Sequence, residues 1–135
     1  MAEMNVHLKG AASLYEAVGG MMFFERLVDH FYAAVAADAV LLPLYPEPDD
    51  LAPARQRLTL FLAQYWGGPT TYSDQRGHPR LRMRHAPFLV GDRERDHWMA
   101  AMRGALDALA PPPAIAEALL DYFTVAADAM RNQQQ

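Results

Sequence analysis

One histidine in this chain stands where chemistry could use it. The run from Tyr65 to Phe88 reads YWGGPTTYSDQRGHPRLRMRHAPF. It ends a helical segment on paired glycines, crosses a polar loop and then presents His85, with Pro87 two residues further on. Proline lacks an N–H and stops a helix, so the element that carries the imidazole is too short to be stable alone. Such an element needs something bound to hold it, and a metal or a metal-bearing cofactor at His85 would do that. Zinc fits poorly, because no His-x3-His, HExxH or carboxylate–histidine pair offers its ligand spacing. The chain has no cysteine, which removes disulfides, thiolate ligands and iron–sulfur clusters. Arg80, Arg82 and Arg84 form the one basic cluster and surround the candidate ligand. His7, His30, His78 and His97 have no comparable context.

The elements around this run must come from a chain of 135 residues, long enough for one domain with a buried core. A hydrophobic content of 52% suits such a core and leaves room for a cofactor-lined pocket. A net charge of −4 provides no broad basic footprint, so nucleic acid is not an expected partner. The first residues lack a charged-then-apolar leader pattern, and no 18-residue apolar run occurs. The expectation is a soluble cytoplasmic protein with no membrane partner.

Residues 1–12 show no periodicity and read as a flexible arm. Ser13 and Glu16 have the spacing of a capping box for a short helix that Gly19 and Gly20 end. Phe24, Leu27, Val28, Phe31, Tyr32 and Val35 then repeat as one face of an amphipathic helix. Val40–Tyr45, broken by Pro43, suits a single turn, and Pro46–Asp50 an acidic loop whose Asp50 could cap the next helix. Leu51, Ala54, Leu58, Phe61, Leu62 and Tyr65 line one face of that helix until Gly67, Gly68 and Pro69 end it. After a long loop over 67–81 and the His85 element, Asp92 can cap a helix with Trp98, Met99, Met102, Ala105, Leu106 and Leu109 inward. Pro111–Pro113 start the last helix, where Ile115, Leu119, Tyr122, Phe123, Ala126 and Met130 recur at helical spacing. Residues 132–135 should fray. No segment has strand periodicity, so the class is all-α, and periodicity leaves an ordinary helical bundle open.

The YWGGP…RGHPRLRMRHAPF run, with the helical pattern from Ser13 to near Arg131, closely resembles the group II truncated haemoglobins. In that family the last histidine of the motif is the proximal iron ligand. The resemblance implies a globin-like, truncated two-over-two helical sandwich around haem b, spanning residues 13–131. Haem needs one strong axial ligand from the protein, and the neutral imidazole of His85 would supply it. The position of the usual distal histidine falls on Ala54, which donates nothing. Tyr32, Tyr45 and Trp98 match the family's distal donors. From periodicity alone, each of the three reads as a core aromatic rather than a cofactor contact, and it is the resemblance that reverses this.

The resemblance also makes Leu58 and Phe61 apolar pocket walls. Phe88 and Met102 become proximal or floor contacts, unless they are plain core. Arg57, Tyr72 and Arg84 become partners of the haem propionates, since guanidinium pairs well with carboxylate. It implies a pentacoordinate iron that binds oxygen, nitric oxide, carbon monoxide or peroxide. Donors aimed at bound oxygen should slow its release, which makes a poor carrier and favours redox chemistry. That chemistry would be nitric oxide dioxygenase-like or peroxidase-like, with an unidentified reductase. The alternative is storage or sensing of oxygen or nitric oxide without turnover, and a third reading is a helical interaction module without haem. A homodimer stays open.

Overall fold

The computed structural model describes residues 13–77 and 90–131. The arm at 1–12, the tail at 132–135 and the expectations for His78, Arg84, His85 and Phe88 lie outside the described residues. No strand occurs among the described residues, and no helix there is long and apolar enough to cross a membrane.

Helix α1, Leu14–Ala17, starts as its spacing predicts, with Ser13 Oγ accepting from the Glu16 N–H at 3.1 Å. Gly19 and Gly20 then turn the chain at φ +95° and +87°, conformations that cost other residues dearly. Helix α2, Met21–Ala36, buries all six residues of its predicted stripe, Phe24, Leu27, Val28, Phe31, Tyr32 and Val35. A single 3-10 turn follows at Leu42–Leu44, with Pro43 inside it.

Helix α3, Ala52–Tyr65, carries Pro53 in its first turn, where the missing N–H is no loss. Asp50 Oδ1 accepts from the Ala52 N–H at 3.2 Å, so it does serve the helix start. The face is rotated from the expected one. Thr59, Leu62 and Ala63 are the buried positions, Leu58 and Phe61 are half-buried, and Tyr65 is 54% exposed. The reason is that α3 packs on one side against α2 and borders a cavity on the other, so its apolar residues divide between two neighbours. The paired glycines after α3 serve α1. A Cβ on Gly67 would strike the Ser13 side chain, and one on Gly68 would lie 2.6 Å from the Tyr15 ring. That close approach lets the Tyr15 N–H donate to the Trp66 carbonyl at 3.0 Å.

The predicted loop over 67–81 contains a helix, α4, Thr71–Arg76. Six residues cannot hold a helix in water. Gln64 of α3 does it instead: its Oε1 accepts from the Ser73 N–H at 2.9 Å while its Nε2 donates to Ser73 Oγ. Helix α5, Asp92–Leu109, is capped differently from expectation. Gly91 is the N-cap, and Glu94 reaches back to accept from its N–H at 2.9 Å, leaving Asp92 free to pair with Arg131. That backbone N–H holds the Glu94 carboxyl below its usual pKa. Helix α6, Pro113–Met130, buries Ile115, Leu119, Phe123 and Ala127. The four long helices pack α2 on α3, α2 on α5, and α5 on α6.

Candidate functional site

Between these helices lies a cavity of about 400 Å³. Phe31, Leu41, Leu44, Leu58, Phe61, Leu62, Val90, Phe123 and Met130 make its walls largely apolar. That volume falls within the range of small-molecule and cofactor sites. Ala54 borders it without adding a polar group.

Three elements each deliver one aromatic donor to this cavity. Tyr32 comes from α2 and is 4% exposed; Tyr45 follows the 3-10 turn; Trp98 comes from the first half of α5. Tyr32 and Tyr45 meet edge to face, their ring centroids 5.5 Å apart. Phe31 joins the set, with its centroid 5.0 Å from Tyr32 and 5.3 Å from Trp98, and Trp98 continues to Phe123 at 5.9 Å. Burial pushes the Tyr32 phenol up to about 12, although a hydrogen bond with Tyr45 and the nearby Arg57 and Arg55 charges pull the other way. Burial and the neighbouring Tyr32 raise Tyr45 well above the usual phenol value. Both therefore keep their protons at neutral pH and remain hydrogen-bond donors. Trp98 makes ring contacts with Phe31 and Phe123 and, among the described residues, no hydrogen bond.

Leu58, Phe61, Arg57 and Tyr72 all line the cavity. Tyr72 gets there through α4, which brings its buried ring to 5.4 Å from Phe61. Met102 is fully buried in the main core and is not among the lining residues. Arg84, His85 and Phe88 lie outside the described residues. Reading the sequence missed Arg76, Glu94 and Arg95, which also line the cavity. Arg76 was hidden because α4 itself was unexpected. It also missed the pairing of His97 with Asp38, whose Oδ2 lies 2.8 Å from His97 Nδ1. That bond, together with the N–H groups of Leu41 and Val40, holds the Asp38 carboxyl below its usual pKa.

The donor set suits a haem. An apolar cavity accepts a large flat ring, Arg57 and Arg76 offer cations to carboxylate substituents, and Tyr32, Tyr45 and Trp98 bring polar groups to an otherwise largely apolar lining.

Comparison with known proteins agrees. Residues 13–132 match the family described as bacterial-like globin. The chain is 37% identical to a group 2 truncated hemoglobin of Bacillus subtilis over 90% of its own length and 89% of that protein's. It is 57% identical to a thermostable hemoglobin of Thermobifida fusca whose solved structure superposes with a TM-score of 0.86, covering 89% of this chain and 97% of that one. The group II truncated hemoglobin of Bacillus anthracis superposes at 0.87 with 35% identity, over 92% of this chain and 99% of that one. The same fold shared along nearly the whole chain removes the ordinary helical bundle. The chain belongs to the bacterial-like globin family and, within it, to the group II truncated haemoglobins, which bind diatomic ligands at haem.

Proposed function

We propose that this protein holds haem b through His85 as the sole protein ligand to a pentacoordinate iron, with Tyr32, Tyr45 and Trp98 as donors on the distal side. The observation that carries the reading is the convergence of three protonated donors, from three separate elements, on one apolar cavity. When bound, haem supplies a ferrous centre that binds oxygen, nitric oxide or carbon monoxide. The chain's own residues do the rest. The apolar walls exclude bulk water, so donors inside are worth more than they would be in solvent. Tyr32, Tyr45 and Trp98 would present O–H and N–H donors to a diatomic ligand and would stabilise negative charge on it. Ala54 leaves space beside the ligand where a larger residue would narrow access. Arg57 and Tyr72 would hold the carboxylate substituents of the haem, and Leu58 and Phe61 would serve as apolar walls against it.

Several donors on one ligand slow oxygen release, which suits turnover better than delivery. We therefore read the reaction as oxidation of nitric oxide by oxygen, or as peroxide reduction, with a separate cytoplasmic reductase returning the iron to the ferrous state. The test begins with an absorption spectrum of the purified protein, with and without dithionite and carbon monoxide. It should show a five-coordinate ferrous form that converts to a carbon monoxide complex. His85→Ala should lose tight haem binding and, because haem binds only the folded chain, should lower thermal stability. A wild-type spectrum and affinity in that variant would remove His85 from the iron. Oxygenated protein mixed with nitric oxide should yield nitrate. Slow oxygen release without consumption of nitric oxide or peroxide would instead mark a store or sensor.

A further inference from the structure

Asp38 is a meeting point for the three elements that carry the distal donors. It follows α2 directly, and its backbone N–H donates to the Val35 carbonyl at 3.0 Å, on the helix that carries Tyr32. Its Oδ1 accepts from the N–H groups of Val40 and Leu41 at 2.8 and 3.0 Å, which shapes the segment leading into the turn before Tyr45. Its Oδ2 lies 2.8 Å from Nδ1 of His97, the residue just before Trp98 on α5. Both oxygens of one carboxylate are thus used, and each ties down a different donor-bearing segment.

The segment needs this tie. Between α2 and α3 the only regular structure is the three-residue turn Leu42–Leu44, and short 3-10 turns have weak hydrogen-bond geometry. Leu41, Leu44 and Tyr45 from this segment all line the cavity. A hydrogen bond to a ligand survives only within a few tenths of an ångström of its best distance. Anything that lets the turn drift relative to α5 therefore misaligns Tyr45 against Trp98.

We propose that His97 is a positioning residue for the oxygen site, acting through Asp38 to hold the Tyr45 segment in register with Trp98. This rests on the donor reading given above. A carboxylate can only accept, so the proton of the pair sits on His97 Nδ1. His97 is itself half-buried and does not line the cavity, so its influence on a ligand passes through the two segments it joins. The same pair seen as a plain surface brace would add stability and leave the ligand site unchanged.

Side-chain geometry separates the two. The amide nitrogen of asparagine stands as many bonds from Cβ as Nδ1 does, and that of glutamine as many as Nε2 does. His97→Asn should therefore keep the bond to Asp38, whereas His97→Gln and His97→Ala should lose it. The probes are oxygen dissociation by stopped flow and the C–O stretch of the carbon monoxide complex, which reports the field of the distal donors. Losing the alignment should release oxygen about two- to tenfold faster, the scale of one weakened hydrogen bond, and should raise the C–O stretch. We expect both changes in His97→Ala and His97→Gln, with His97→Asn close to the parent. Identical behaviour of all three variants, or lowered melting temperatures with no change in stretch or rate, would overturn the proposal. Trp98→Phe and Tyr32→Phe measured alongside keep the two readings apart. If they change the rate while the His97 variants do not, only the positioning role fails; if they too leave it unchanged, the donor reading has failed.

Discussion

Tyr32 and Tyr45 approach edge to face at 5.5 Å, one from the middle of α2 and one from just past the 3-10 turn, and share a hydrogen bond. A phenol has one proton to donate, so within the pair one phenol supports the other, and only the supported one keeps its proton for the cavity. Their effects on a ligand cannot be independent. Tyr32→Phe and Tyr45→Phe should each speed oxygen dissociation by on the order of tenfold, the worth of a charge-assisted hydrogen bond in a dry site. The double variant should fall short of the product or exceed it, with a coupling of about 0.5–3 kcal/mol as expected for residues in contact. Simple multiplication of the two effects would show that the phenols act separately.

Trp98 presents a sharper choice between donor and packing. Its ring contacts Phe31 and Phe123, as a core aromatic would, yet it also borders the cavity. Trp98→Phe keeps an aromatic wall and removes the N–H. If the indole donates, the loss of about 1.5–3 kcal/mol should speed oxygen release on the order of ten- to a hundredfold. Carbon monoxide carries less charge on its outer atom and should respond less. Equal, small changes for both gases would assign Trp98 to packing.

Asp38 should leave a mark on acid stability. Its carboxyl is held below its usual value, first by the His97 hydrogen bond and further by the Leu41 and Val40 N–H groups, against the opposing effect of burial. A depressed folded-state pKa means stability that is fully present above the unfolded value, about 3.9, and lost as pH falls through the folded value. Asp38→Asn should therefore cost about 1–2 kcal/mol near neutral pH, the scale of charge-assisted hydrogen bonds on a partly exposed group. The gap should close as pH drops below about 4. Denaturant midpoints of both proteins from neutral pH downward test this, and a gap independent of pH would refute it.

Ala110 ends α5 with φ +47° and ψ +54°, a left-handed cap occupied by a residue that has a Cβ. Glycine is the usual residue there, since it adopts this conformation without steric cost. Ala110→Gly should stabilise the protein by about 0.5–1 kcal/mol, part of the relief being offset by greater freedom of the unfolded chain. An unchanged or lower melting temperature would mean that the alanine methyl makes a contact that outweighs its strain.

Much of this protein could be read along the chain, because local interactions decide it. The buried stripe of α2 follows from helical spacing, the start of α1 from the Ser13 hydroxyl, and the chain's turns from Gly19, Gly20 and the Pro111–Pro113 run. The run from Tyr65 to Phe88 marks the family by residue type and spacing alone. Periodicity also placed Tyr32, Tyr45 and Trp98 on apolar faces, but a pocket wall and a core position have the same spacing. Only the packing of α2, α3, α5 and α6, which leaves a cavity where those faces meet, tells the two apart. Helix α4 exists because Gln64 reaches across to Ser73, and its own six residues carry no sign of that help. Asp38 and His97 are 59 positions apart, and neither has a neighbourhood that announces the other. Segment identity comes from forces within a turn or two of the chain. Which faces enclose space, and which distant polar groups find one another, is settled when the helices pack.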